Sequence, residues 1–282
     1  MKNLMFLLFI FLTILSGVAS AAQYPDSPRD VVVQVKTVPA EVDSPAVRLT
    51  SVPEFTLYGD GRLITLVKDD KGILRLQESR ASTEEIDALI DAINVEGFAE
   101  LNDNYLNVTV ENLATTFITV RTRKLERTIQ VYGFEFAQYQ GMIPRNLINI
   151  RRKILEFEPK NPKDYVPDKI SLYVYKVKTY PPKEAEIENW KVKGVELADY
   201  AGDEDMLMTE YKETVLEGDK KKDVLNKLKG KTLFDNPEGF VRIFFRSNKQ
   251  LYKLAYRPHP VSYTHLRAHE TPEHLVCRLL LE

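Results

Sequence analysis

The sequence predicts an α+β fold in which antiparallel β-hairpins pack against a few amphipathic helices. Three observations predict it. The run Val31 to Val38 is β-branched and apolar, as a strand requires. Gly59-Asp60-Gly61 separates two short apolar runs, and Asp-Gly tolerates the positive φ of a tight hairpin. Ser82 and Glu85 stand three residues apart ahead of Ile86, Leu89, Ile90 and Ile93, a spacing that lays one apolar stripe along a helix.

Taken in order, the first strand ends where Pro39 and Pro45 interrupt the chain. Phe55 to Tyr58 and Leu63 to Val67 form the arms of the Gly-Asp-Gly hairpin, Asp69 to Gly72 turns again, and Ile73 to Gln77 is a third strand. The Ser82 helix stops at Gly97. Thr115 to Thr122 and Arg127 to Tyr132 make a strand pair across a charged turn. Pro144 suits the first turn of a second helix with Leu147, Ile150 and Ile154 facing inward, ending before Pro159.

Glu158 to Asp168 carries three prolines among charged residues and reads as a linker or an extended connection. Beyond it, Ile170 to Val177 alternates as a strand, and the acidic stretches around Glu184 to Glu188 and Asp203 to Asp205 read as exposed loop. Asp219 is placed to cap a short helix with Val224, Leu225 and Leu228 inside and Gly230 as its stop; Phe240 to Phe245 and Gln250 to Tyr256 then pair across Ser247-Asn248. Helix followed by hairpin thus occurs twice, which fits either two similar β-α-β modules or chance recurrence in an α+β chain.

The two ends read differently from the middle. Lys2, an apolar run from Leu4 to Leu15, and Ala19-Ser20-Ala21 form a secretory signal peptide pattern over residues 1–21, too short for the roughly 20 apolar residues of a spanning helix. At the other end, VSYTHLRAHET from Val261 to Thr271 resembles one reading frame of a transposase-type sequencing-library adaptor, and LVCRLLLE from Leu275 to Glu282 resembles the outer adaptor that follows it. The expected organisation is a signal peptide over 1–21, an α+β domain over 22–158, a linker over 159–168, a smaller α+β module over 169–260 and an adaptor-derived artefact over 261–282. The expected location is secreted or periplasmic.

Removing the adaptor-like segment removes His265, His269, His274 and Cys277, leaving a cysteine-free chain in which His259 is the sole histidine. A Cys/His zinc site, a Cys-His nucleophile and a disulfide then have no residues to use. The two ends hold three basic and three acidic residues, so the remainder keeps a net charge of −2. That balance offers no electrostatic basis for nucleic acid or an anionic membrane as partner, and no stable membrane insertion is expected after signal cleavage.

The passage FTLYGDGRLITL from Phe55 to Leu66, the helix to Gly97, VYGF at Val131 to Phe134 and RSNKQLYKLAYRPHP from Arg246 to Pro260 together resemble an uncharacterised family of bacterial secreted proteins and lipoproteins. The resemblance implies an extracytoplasmic bacterial product and no activity, cofactor or site residue. Members often carry a lipid-attachment cysteine, and none follows the apolar run in this chain.

Asp60, Asp69 and Asp70 sit in turns where calcium oxygens could gather, yet Asp-Gly is ordinary hairpin chemistry. A glycosidase needs only two carboxylates, but no pair stands out. Serine catalysis lacks any histidine before His259, and there is no G-x-S-x-G, S-x-x-K or phosphate loop. Lys220 to Lys222 with Lys227, Lys229 and Lys231 reads as a solvated helix face, Tyr173, Tyr175, Tyr180 and Trp190 as strand packing, and Asn107-Val108-Thr109 as a glycosylation pattern without bacterial meaning. No catalytic, cofactor-binding or metal residue is assigned, and no cofactor is expected. The functional expectation is a non-catalytic binding or interaction protein with a protein or glycan partner. The alternatives are a carboxylate-dependent hydrolase acting on an extracellular polymer and a structural cell-envelope component.

Overall fold

In the computed structural model, which describes residues 23–40, 45–68, 74–106, 109–177, 183, 185–202, 212–229 and 243–259, the first element is β1 (Val31–Val38). It pairs on one side with β2 (Phe55–Tyr58), which runs on through β3 (Arg62–Lys68) to β4 (Leu74–Arg80). On its other side lies β6 (Thr115–Arg121), followed by β7 (Glu126–Tyr132). Two-residue strands close both edges: β5 (Asn104–Tyr105) parallel to β7, and β8 (Lys163–Asp164) antiparallel to β4. The expected signal segment, the turn at Asp69 and Asp70, Asn107 and the adaptor-like segment lie outside the described residues.

Alternation decides which face is closed. Val33, Val35, Ile118, Val120, Ile129 and Val131 point to one side, where α2 (Thr83–Val95), α3 (Phe134–Tyr139) and α4 (Arg145–Leu155) bury Ile86, Ile90, Ile93, Phe134, Leu147 and Ile150 against them. The capping box forms as expected: Glu85 N–H donates to Ser82 Oγ at 3.2 Å, and Ser82 N–H to Glu85 Oε2 at 2.8 Å. Arg127 then anchors the turn beyond α2, its guanidinium donating to the carbonyls of Phe98, at 3.1 Å, and of Leu101, and pairing with Asp103 at 2.6 Å.

The second sheet is built on β9 (Lys169–Val177), paired along its whole length with β14 (Gln250–His259). Outside β14 come β13 (Phe244–Ser247) and β10 (Ile187–Asn189); the other edge of β9 carries β11 (Ala201–Gly202) and β12 (Thr214–Glu217). Ile170, Leu172 and Val174 face a second core with Trp190, Phe245 and Leu254, which α5 (Leu197–Tyr200) and α6 (Gly218–Leu228) complete through Leu197, Val224 and Leu228. The opposite side of β9 is covered as well: Tyr173 and Ala255 pack with Leu49 of α1 (Pro45–Thr50). The architecture is α+β.

Several local expectations are corrected. Pro45 begins a helical turn instead of only interrupting the chain, because its fixed φ suits a helix start. Pro144 is the N-cap of α4 and not its first residue. Asp219 does not cap α6: Glu217 occupies that position with no side-chain cap, and Asp219 sits in the first turn. Ile187–Asn189 is a strand in place of loop, drawn into register by β13, and Glu188 pairs with Lys227 at 2.6 Å. The last hairpin turns at Asn248-Lys249, one residue later than expected, and Phe240 lies outside the described residues. Of the two readings of Glu158 to Asp168, the segment is an extended connection that contributes β8 and Tyr165, whose N–H donates to Leu76 O at 3.0 Å. The two helix-then-hairpin stretches dock by opposite arms: β6, the first arm, lies against β1, whereas β14, the second arm, lies against β9.

Candidate functional site

Two features concentrate polar side chains among the described residues: a cluster around buried Ser171 where the sheets meet, and the face of the first sheet opposite α2, α3 and α4. The cluster forms because β9 and β14 pair Ser171 with Arg257 and Lys169 with His259 on one side of the second sheet. Glu213, immediately before β12, reaches the same spot. Ser171 is fully buried, and its hydroxyl contacts both the Glu213 carboxylate and His259 Nε2. Arg257 pairs with Glu213 at 3.1 Å, the Tyr173 hydroxyl donates to the same oxygen at 3.3 Å, and His259 Nε2 stands 4.0 Å from it.

Proton accounting decides what this cluster does. Burial pulls the Glu213 carboxyl upward, but the Ser171 hydrogen bond and the Arg257 guanidinium outweigh it and hold the group below its ordinary value. Burial and Arg257 push His259 below its ordinary 6.5. An ionised Glu213 only accepts, so the single Ser171 proton goes to it, and Oγ accepts in turn from His259 Nε2–H. In a serine-nucleophile relay the order is reversed, with the carboxylate orienting the histidine and the bare imidazole nitrogen taking the serine proton. The cluster therefore ties β9, β14 and the approach to β12 together. Beside it, a cavity of about 20 Å³ lined by Thr56, Ile64, Leu76, Tyr165, Arg257 and Pro258 has room for a single water.

The other feature follows from register. Opposite the core side of β1, β6 and β7, residues stand in rows across the strands: Gln34, Thr119 and Thr128; Lys36, Phe117 and Gln130; Val38, Thr115 and Tyr132. The first row continues to Thr56 on β2, buried at the edge of the second sheet's footprint. Gln34 Nε2 donates to Thr56 Oγ1 at 3.3 Å, and the hydroxyls of Thr119 and Thr128 are 2.8 Å apart. Leu113 N–H donates to the Tyr132 hydroxyl at 3.1 Å. The helices α2, α3 and α4 all lie on the far side of this sheet.

The residues singled out from sequence fall elsewhere. Asp60 accepts from Arg62 N–H at 3.0 Å and from the Arg80 guanidinium at 3.1 Å, and Asp69 and Asp70 lie outside the described residues. Tyr173 and Trp190 belong to different clusters; Trp190 stands edge-on to Phe245 and donates to Val195 O at 2.7 Å, while Tyr180 lies outside the described residues. Of the lysines, Lys221 donates to Pro167 O at 2.8 Å and Lys227 pairs with Glu188. Among the described residues, no group of three His, Cys, Asp or Glu gathers as metal ligands, and no helix is long and apolar enough to cross a membrane. Sequence reading missed the Ser171, Glu213 and His259 association because the partners are 42 and 88 residues from Ser171. It also missed the rows, whose only signal was the alternation of Thr115 to Arg121 and Arg127 to Tyr132. No protein-family model, curated protein or solved structure matches the chain.

Proposed function

We propose that this is an extracytoplasmic, non-catalytic binding protein of bacteria whose contact surface is the face of β1, β6 and β7 opposite α2, α3 and α4. The observation that carries the reading is the contrast between the two sides of the first sheet. One side is closed by three helices on an apolar core, and the other presents hydroxyl, amide and aromatic groups in register. Antiparallel sheets with one dry and one wetted face are suited to surface recognition, since the backbone is already satisfied and side chains alone meet the partner. The proton order at Ser171 argues against a serine nucleophile at this cluster, because Ser171 is buried and donates to a carboxylate. The signal-like leader and the resemblance to bacterial secreted proteins support the location.

The test is turnover. The purified chain is assayed on ester, peptide and glycoside substrates, with Ser171→Ala and Glu213→Gln alongside. No turnover traceable to either residue is expected. A hydrolytic activity present in the parent chain and abolished in either variant would sink the proposal.

A further inference from the structure

We infer that the open face of the first sheet takes a neutral polysaccharide, with Phe117 stacking on a sugar ring and Gln34, Thr119, Thr128 and Gln130 hydrogen-bonding its hydroxyls. This rests on the binding reading above and names the ligand class for the same surface. Across the two central rows the one charged side chain is Lys36, and Arg121 at the border is paired with Asp30 at 3.6 Å and with Glu126. A polyanion would meet a single cation, and an apolar protein surface would meet mostly threonine and amide, which interface cores disfavour against aromatic and aliphatic anchors. An uncharged partner rich in hydroxyls matches both halves of that composition.

Neighbouring strands stand about 4.8 Å apart, close to the length of one pyranose ring, so successive sugars can meet successive members of one row, such as Lys36, Phe117 and Gln130 on β1, β6 and β7. The polar groups are already oriented by one another, with Thr119 and Thr128 at 2.8 Å and Gln34 held on Thr56 at 3.3 Å, so little side-chain freedom is lost on binding. Phe117 sits between Lys36 and Gln130, an apolar ring flanked by hydrogen-bonding ends, the arrangement that suits the apolar face and polar rim of a sugar. The second sheet lies over Thr56, Ile64 and Leu76, so the surface is a shelf with a wall along one side.

Affinity electrophoresis of the full chain in gels containing dextran, mannan, laminarin or xylan, with alginate as the anionic comparison, tests this. Retardation by at least one neutral polymer and not by alginate is expected. Phe117→Ala and Gln130→Ala should each weaken it about tenfold, with unchanged circular dichroism, whereas Tyr139→Ala, 86% exposed on the helix side, should leave it unchanged. Should Phe117→Ala lose its fold, Gln130→Ala at its half-buried surface position decides alone. The inference is overturned by absence of retardation in all four polymers, by stronger retardation in alginate, by retention in Phe117→Ala or Gln130→Ala, or by a self-association that Phe117→Ala abolishes. Its failure leaves the non-catalytic reading standing; degradation of the retarding polymer would instead remove that reading.

Discussion

Gly59 is required by the space around it and not by its φ. A Cβ there would lie 2.0 Å from the carbonyl oxygen of Pro25, because the chain entering β1 crosses directly over the hairpin and Gly59 N–H donates to Asp30 O at 2.9 Å. Backbone cannot retreat as a flexible side chain can, so Gly59→Ala should cost about 3 kcal/mol in chemical denaturation. Gly218→Ala, at φ 58° with open space around it, should cost only about 1 kcal/mol. His259 sets a pH dependence. Its folded pKa lies below the ordinary 6.5, so on acidification the unfolded chain takes up this proton first. Its contribution is complete above about pH 6.5 and is lost as pH falls below that value; Glu213, held below its ordinary 4.5, adds a second loss beneath pH 4.5. His259→Gln should flatten the upper part of this decline and leave the lower part, as read from denaturation midpoints across about pH 2.5 to 8.

At the scale of elements, the hairpin of β13 and β14 carries a strained turn. Asn248 and Lys249 both have positive φ, 47° and 66°, between the paired Ser247 and Gln250. A two-residue loop of this kind matches the strand twist, and asparagine tolerates it, but lysine pays the full Cβ penalty. Lys249→Gly should therefore stabilise the protein by about 1 kcal/mol, visible as a raised denaturation midpoint with unchanged slope. A loss of stability would show that the lysine side chain makes a compensating contact.

For the molecule as a whole, the second sheet is covered on both sides, by its own core and by contacts from the first half of the chain. Leu49 packs on Tyr173 and Ala255, and the Tyr165 hydroxyl donates to His259 O at 2.9 Å. Such burial couples the two cores. Trp190, the chain's one tryptophan, reports only the second core, whereas far-ultraviolet circular dichroism reports both. The two signals should unfold at one denaturant concentration in the parent chain and separate in Leu49→Asp, tryptophan first. Separation in the parent chain would show that the contacts at Leu49 and Tyr165 are too weak to couple the cores.

What the sequence determined by itself was local. Strand alternation, the Ser82–Glu85 capping box and the apolar stripe of α2 are set by residues within a turn or two of each other, so the α+β class and most elements in their order were legible. The helical turn at Pro45, the strand at Ile187–Asn189 and the starts of α4 and α6 were not, because neighbours distant in sequence decide whether such short segments pair or cap. The tertiary structure alone decided the candidate surface. Threonine at alternate strand positions is ordinary β-sheet chemistry until register sets Gln34 beside Thr119 and Lys36 beside Phe117, and until the helices take the opposite side. Ser171 and His259 likewise meet only because β9 and β14 pair along their full length, and register between strands 88 residues apart is fixed by the core they jointly bury, a property no local window of sequence contains.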